Sequence, residues 1–149
     1  MSASTIKHYL QPLPQTRVAS TALLVLRLIV GATFVMHGSV KIVNPLGWMG
    51  PEATIPGFFQ LLAAISEFGG GIAWIVGLLT PLAALGIAST MTVAVYTHLI
   101  VRGDPFVNLS GGMGYELALV FWGIALLLLL LGPGRFSLDR VFFGQRPRG

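Results

Sequence analysis

Four long apolar segments, separated by short polar stretches, dominate the chain. They cover residues 18–40, 57–79, 81–101 and 113–131. A helix that crosses the hydrocarbon core of a bilayer needs about 20 consecutive, mostly apolar residues, and each segment has that length. The pattern therefore predicts an all-α membrane protein in which four transmembrane helices form one bundle.

The connections between these segments predict how the helices follow one another. The turn between the second and third segments is only "LTP", so these two helices should be antiparallel neighbours, with Pro81 in the first turn of the third. The first and third segments are followed by loops rich in proline and glycine, which predicts irregular backbone. Trp48 lies in the first of these loops and is expected to anchor it at the membrane interface.

The polarity of the ends divides the chain into three parts. Residues 1–17 form a polar N-terminal arm, residues 18–140 the four-helix membrane domain, and residues 141–149 a basic C-terminal tail. The first span is too long, and too interrupted by Arg27, to be a cleaved signal peptide.

Composition excludes several classes of protein. Of the 149 residues, 54% are hydrophobic and only 9% are charged, and the mean hydropathy is +0.82. Soluble domains carry about 25% charged residues, so a soluble domain is excluded. The 19 glycines predict helices that pack with their backbones close together. The absence of cysteine excludes thiol–disulfide chemistry and cysteine-ligated iron–sulfur clusters.

The distribution of basic residues predicts the orientation. Two precede the first span and four follow the last, whereas the two loops on the opposite side carry one each; they are Lys7, Arg17, Arg135, Arg140, Arg146 and Arg148 against Lys41 and Arg102. This asymmetry places both termini in the cytoplasm. The net charge of +4 is thus assigned to contact with the lipid bilayer and its anionic lipids rather than to nucleic acid.

Two opposite charges lie inside the predicted spans. With about 1.5 Å of rise per residue, Arg27 and Glu67 fall close to the middle of the first and second spans. An unpaired charge at that depth is costly, so the sequence predicts an intramembrane ion pair between them. An alternative interpretation makes Glu67 a protonatable group of a proton relay.

A second group of polar residues lies nearer the outer face. The same arithmetic brings titratable groups of three helices to one level, where they are expected to line a ligand pocket. Its predicted members are His37, Lys41, Tyr96, His98, Tyr115 and Glu116. The alternative is that each of them satisfies a separate interfacial role.

The chemistry of that group suits a quinone. Imidazole and carboxylate groups exchange protons near neutral pH. Lys41 or Arg102 can hydrogen-bond a carbonyl oxygen, and aromatic rings can flank a planar head group. Haem ligation by the two histidines is disfavoured, because each lies near a membrane edge. A His–His–Glu metal site has suitable ligand types but is not predicted.

Three stretches, in this order and spacing, resemble the DoxX family of small four-helix bacterial membrane proteins. They are "RLIVGATFVMHGSVKI", "SEFGGGIAWIVGLLTPLAAL" and "GGMGYELALVFWGIALLLLLLGPGRFSLD", which contain H-G-x-x-K, E-x-x-G-G and G-P-G-R-x-S-x-D. The resemblance covers residues 17–140 and implies a multi-pass protein of the bacterial plasma (inner) membrane. The family-like positions are Arg27, His37, Gly38, Lys41, Glu67, Gly70, Tyr115, Glu116, Arg135, Ser137 and Asp139.

The family takes its name from a subunit of thiosulfate:quinone oxidoreductase. The resemblance therefore implies an accessory or quinone-interacting subunit of a membrane oxidoreductase, without a transferable set of catalytic residues. A membrane scaffold or a small-molecule transporter without redox chemistry is the alternative. Self-association or a partner oxidoreductase subunit is expected for so small a bundle.

The closing "GPGRFSLDR" also has a physical interpretation. Gly132 and Pro133 should stop the fourth helix, and Ser137 should cap a short helix. Arg135 and Asp139 are four residues apart and are expected to pair at the cytoplasmic surface.

Overall fold

The computed structural model describes residues 10–145, and this part of the chain contains helices and loops but no strand. Residues 1–9 of the predicted arm and 146–149 of the predicted tail, with Lys7, Arg146 and Arg148, lie outside the described residues. From Arg17 onward, the described residues form four long helices and one short helix: α1 Arg17–Ile42, α2 Gly57–Val76, α3 Thr80–Arg102, α4 Glu116–Leu131 and α5 Leu138–Phe143.

The four apolar segments each form one helix, so the predicted all-α class is confirmed. Helices α1, α2 and α3 are long and apolar enough to span a membrane, whereas α4 is apolar but only 16 residues long. Two of the helices are shorter than the apolar segments that predicted them. Helix α2 stops at Val76, because Gly77 adopts the left-handed conformation with φ +68°, and α4 begins only at Glu116.

Neighbouring helices in the sequence pack against each other: α1 on α2, α2 on α3, and α3 on α4. Phe34 of α1 lies at the centre of the bundle, with ring-centroid distances of 5.6 Å to Trp74 and 5.0 Å to Phe121. Small residues such as Ala84 and Ala125 are fully buried beside these rings. Large apolar side chains instead cover the outside of the bundle, as expected for a surface that contacts lipid.

Glycines bring α1 and α2 into close contact, as predicted from their number. A Cβ atom on Gly31 would lie 2.8 Å from the carbonyl oxygen of Gly71, and one on Gly71 would lie 2.7 Å from that of Gly31. Gly38 packs directly on the backbone of Phe68. No side chain fits at these points, so the glycines set the distance and the register of the two helices.

The bundle has two different ends. One, here called the turn end, holds the start of α1, the α2–α3 turn at residues 77–79 and the segment after α4. The other, the loop end, holds the α1–α2 loop (residues 43–56) and the α3–α4 loop (residues 103–115). At the turn end Thr16 caps α1 through its hydroxyl group, which accepts from the N–H of Ala19 at 3.1 Å.

Candidate functional site

An ion pair between α1 and α2 lies near the loop end. The Lys41 Nζ atom donates to Glu67 Oε1 at 2.5 Å. The Glu67 side chain is 2% exposed and that of Lys41 is 18% exposed, so the carboxylate is buried while the lysine side chain is partly accessible. Glu67 belongs to a π-helical turn at Ile65–Gly69. Single π-turns within α-helices are frequent at functional sites.

The α1–α2 loop covers this pair. The indole ring of Trp48 stacks on the ammonium group of Lys41, with 4.5 Å from Nζ to the ring centroid. Trp48 is itself fixed by its Nε1–H group, which donates to the carbonyl oxygen of Gln60 at 3.0 Å. A cation lying against an indole face is an attractive arrangement, and desolvation strengthens it.

Gln60 holds the covering loop with its side chain as well. Its Oε1 atom accepts from the N–H of Met49 at 3.0 Å, and its Nε2 atom donates to the carbonyl oxygen of Ile55 at 2.9 Å. The residue is buried. Sequence reasoning missed this role, although a glutamine among the apolar residues at the start of α2 was an available signal. Trp48 was expected only as an interfacial anchor.

Four members of the predicted pocket have individual contacts in the structure, and these contacts are made with residues outside the predicted set. Within residues 10–145, no hydrogen bond or ion pair joins any two of the six. Lys41 pairs with Glu67, whereas the Nδ1 atom of His98 lies 2.7 Å from Asp104 Oδ2 at the start of the α3–α4 loop. His37 is exposed on α1, and Tyr96 is 57% exposed on α3. The common pocket of six residues stays a prediction.

The two remaining members lie where the α3–α4 loop joins α4. Tyr115 packs edge-on against Phe106, with 5.3 Å between ring centroids. The N–H of Glu116 donates to the carbonyl oxygen of Phe106 at 3.1 Å. The Oε2 atom of Glu116 is buried without a hydrogen-bond partner in the described part of the chain. These contacts join the two ends of the α3–α4 loop.

A second polar cluster lies at the turn end, around Arg27. Its guanidinium group is 1% exposed and donates to two main-chain carbonyl oxygens beyond α4, those of Pro133 at 2.6 Å and Phe136 at 2.8 Å. The segment that carries these carbonyls also touches α1 nearer its start, where the N–H of Arg135 donates to Ser20 Oγ at 3.2 Å.

Asp139 completes this cluster from the start of α5. Its carboxylate accepts from the N–H groups of Leu79 at 2.6 Å and Thr80 at 2.9 Å, which begin α3. Its own N–H donates to the carbonyl oxygen of Gly77 at 2.8 Å. Burial raises the pKa of the Asp139 carboxyl, while the two N–H donors and the positive charge of Arg27 oppose that rise.

Only glycine fits at position 77 of the turn. Its φ of +68° disfavours a side chain, and a Cβ atom there would lie 2.7 Å from both Arg27 Nη1 and Ser137 Cβ. Residues 133–139, Arg27 and the α2–α3 turn thus form one interlocked unit, which we call the C-terminal clasp. Ser137 caps α5 as predicted, since its Oγ atom accepts from the N–H of Arg140 at 3.4 Å.

The structure contradicts the predicted pair between Arg27 and Glu67. Gly38 packs beside Phe68, whereas Arg27 lies beside Gly77 at the far end of α2. The midpoints of the two apolar segments therefore do not share a depth, because α1 extends past the α2–α3 turn. The expected pair between Arg135 and Asp139 is also wrong, because the Asp139 carboxylate is used to cap α3.

The two clusters differ in what they can do chemically. The clasp binds its two charged side chains through main-chain groups, although Arg27 Nε is buried without a hydrogen-bond partner in the described residues. The Lys41–Glu67 pair combines a donor for a carbonyl oxygen, a carboxylate that can carry a proton, and an aromatic cover. A groove of about 240 Å³ lies elsewhere, between the segment that starts at Leu10 and the end of α4.

Comparison with known proteins identifies the family. The DoxX family model matches residues 22–99. An uncharacterized protein of Haemophilus influenzae is 31% identical over 120 residues, which cover 79% of this chain and 88% of that protein. Inner membrane protein YqjF of Escherichia coli is 32% identical over 128 residues, 84% of this chain and 95% of that protein. No solved structure matches the chain. The chain belongs to the DoxX family and is a multi-pass protein of the bacterial inner membrane.

Proposed function

We propose that this protein is an accessory, quinone-interacting subunit of a membrane oxidoreductase. The observation that carries the proposal is the Lys41–Glu67 ion pair at the π-turn of α2, buried on the Glu67 side and covered by Trp48. Ionisable residues inside membrane segments are costly and are mostly functional. The founding activity of the family, electron transfer to quinone, supports the same ligand.

Each residue of the proposed site has its own role. The Lys41 ammonium group hydrogen-bonds one carbonyl oxygen of the quinone head group, and the Trp48 ring lies against its plane. Reduction of a quinone to a quinol takes up two electrons and two protons. A partner oxidoreductase supplies the two electrons. Glu67 passes one proton to the oxygen that Lys41 holds, and water at the opposite oxygen supplies the second proton.

The quinone reaches this site sideways from the bilayer. Lys41 is the last residue but one of α1, and His37 lies one turn earlier on the same side of the helix. His37 is exposed, so it faces the route by which a lipid-soluble head group would approach. We assign His37 the second polar contact with the head group.

The topology that we propose has four spans and both termini in the cytoplasm. The turn end would then be cytoplasmic and the loop end periplasmic. The excess of basic residues on the side of the termini supports this orientation. The chain lacks cysteine, so single cysteines introduced at Leu109 and at Gly144 can be labelled in intact cells. Labelling of Leu109→Cys alone by an impermeant maleimide is expected, and the reverse would refute the orientation.

We further propose that the bundle works with a second subunit, either another copy or a partner oxidoreductase. Purification of the native complex in mild detergent, followed by mass spectrometry, tests this point. A soluble oxidoreductase in stoichiometric amount is the expected result. Recovery of the bundle alone, together with solute uptake into proteoliposomes, would favour the alternative of a transporter without redox chemistry.

Quinone binding itself is tested on the purified protein with decylubiquinone. Trp48 is the indole nearest the proposed head group, so binding should quench tryptophan fluorescence, and Trp48→Phe should remove most of the quenching. Lys41→Met should weaken binding at least about tenfold, equivalent to about 1.4 kcal/mol. Arg102→Gln at the same end is the matched control, since it removes an exposed positive charge. Equal affinity of the Lys41 variant and the wild type would reject the site.

A further inference from the structure

Helix α5 presents an apolar face that nothing in the described part of the chain covers. Val141 is 73% exposed and Phe142 is 65% exposed, and Leu138 on the same face is at the limit of exposure. The other side of α5 is fixed, because Asp139 is fully buried in the clasp. The clasp therefore holds the apolar face of α5 in one orientation.

The depth of this segment follows from its contacts with α1. The N–H of Arg135 bonds Ser20, and Arg27 bonds the carbonyl oxygens of Pro133 and Phe136. Ser20 and Arg27 lie roughly 5 Å and 15 Å along the helix from Arg17, where α1 begins. The stretch of α1 from residue 18 onward is apolar, with exposed side chains such as Val18. The segment that precedes α5 thus lies beside membrane-embedded helix.

Arg140 lies on the opposite side of α5 from the apolar face, and Arg135 precedes the helix. Arg140 is two positions from both Leu138 and Phe142, and residues that are two apart on a helix do not face each other. In the described part of the chain, neither Arg135 nor Arg140 forms an ion pair with a carboxylate. Arg135, just before α5, and Arg140, within it, therefore have no carboxylate partner in the described part of the chain.

We propose that α5 is an interfacial helix that binds anionic phospholipids in the leaflet at the turn end. Val141 and Phe142 lie against acyl chains, and Arg135 and Arg140 bind the phosphate groups. Such an arrangement, apolar on one side and basic on the other, is the pattern of helices that lie in the membrane surface. The depth argues for lipid rather than a water-soluble protein as the occupant. This inference is independent of the quinone site.

The position of α5 is tested by spin labelling, which the absence of cysteine makes direct. Val141→Cys and Phe142→Cys each provide a single thiol, and the label is read by its accessibility to oxygen and to a water-soluble nickel complex in phosphatidylglycerol vesicles. Leu130→Cys on the outside of α4 and Leu109→Cys in the α3–α4 loop provide the apolar and aqueous references. Both α5 labels should resemble the α4 reference more than the loop reference. Accessibility like that of the loop would overturn the proposal.

The anionic preference is tested separately by lipid retention. The protein is purified from mixed micelles of phosphatidylglycerol and phosphatidylcholine, and bound lipid is counted by native mass spectrometry. The wild type should retain phosphatidylglycerol at least about fivefold over phosphatidylcholine, and Arg135→Gln/Arg140→Gln should lose most of that ratio. Arg102→Gln, at the loop end, should keep it. An unchanged ratio in the double variant would reject the role of these arginines, provided that its melting temperature shows it to be folded.

Discussion

The turn end and the loop end of the bundle both hold a buried charge, but they neutralise it in different ways. At the turn end, Arg27 is bound by main-chain carbonyl oxygens and Asp139 by main-chain N–H groups. At the loop end, Lys41 and Glu67 are bound mainly by each other. Main-chain partners cannot leave without unfolding the segment, whereas a side-chain pair can exchange one partner for a ligand.

This difference predicts that the turn end serves the fold and the loop end serves function. A charge that is locked into the backbone should affect stability above all. A charge that is held by one side chain beneath an aromatic ring should affect ligand binding more than stability. The four predictions that follow test this contrast, and they are ordered by the expected change in the free energy of unfolding.

The largest loss of stability is expected for Arg27→Met. It removes two hydrogen bonds from carbonyl oxygens and leaves Asp139 buried without its nearby positive charge, which should cost about 3–5 kcal/mol. Unfolding of the purified protein by heat or by sodium dodecyl sulfate measures it. Arg135→Met is the control, because only its main-chain N–H is bonded in the structure. Wild-type stability in the Arg27 variant would mean that the clasp is dispensable.

The next largest loss of stability is expected where the backbones of α1 and α2 are in contact, between the two ends of the bundle. Gly38→Ala forces a methyl group onto the backbone of Phe68, and such overpacking typically costs about 1–3 kcal/mol. Gly123→Ala in α4 is matched to it, since nothing lies within 4 Å of the added methyl group. The same unfolding measurement should separate the two. Equal stability of both variants would show that α1 and α2 can move apart at this level.

At the loop end, a single and a double substitution are expected to differ. Lys41→Met leaves Glu67 buried without its partner and should lower stability by about 1–3 kcal/mol. Lys41→Met/Glu67→Leu removes both charges and should recover most of that loss, because apolar residues commonly replace a buried pair without penalty. Both variants should bind decylubiquinone at least about tenfold more weakly than the wild type. Wild-type affinity for decylubiquinone in the double variant would show that the ion pair does not take part in ligand binding.

The smallest effect is expected for the pair of His98 and Asp104. Both side chains are partly exposed, and exposed ion pairs contribute about 0–1 kcal/mol. His98→Ala should therefore change the melting temperature little and leave quinone affinity within about twofold, equivalent to about 0.4 kcal/mol. A large loss of quinone affinity in this variant would support the prediction from the sequence that His98 belongs to the ligand pocket.

Hydropathy alone predicted the helices well, because each helix satisfies its own backbone groups and needs only an apolar surface in a membrane. The depth of a residue was harder to predict. Arg27 and Glu67 lie near the centres of their apolar segments, yet α1 and α2 are staggered, so they meet different partners. A stagger depends on where glycines allow contact, and hydropathy carries no information about it.

The sequence shows which residues can form hydrogen bonds, but it does not show which distant residues they bind. The G-P-G-R-x-S-x-D stretch predicted the end of α4 and the cap of α5, since both are local effects of backbone conformation and of a nearby hydroxyl group. The docking of Asp139 on the first N–H groups of α3 joins positions about sixty residues apart. No local signal in the stretch predicts such a contact.

The sequence by itself therefore determined the class of the protein, the place of its helices and the residues able to carry charge in a membrane. Only the tertiary structure decided which charges neutralise each other. It paired Lys41 with Glu67, placed Trp48 and Gln60 over them, and joined Arg27 to the chain after α4. The physical reason is that a buried charge takes whichever partner the packed backbone brings within hydrogen-bonding distance, and packing is a property of the whole bundle.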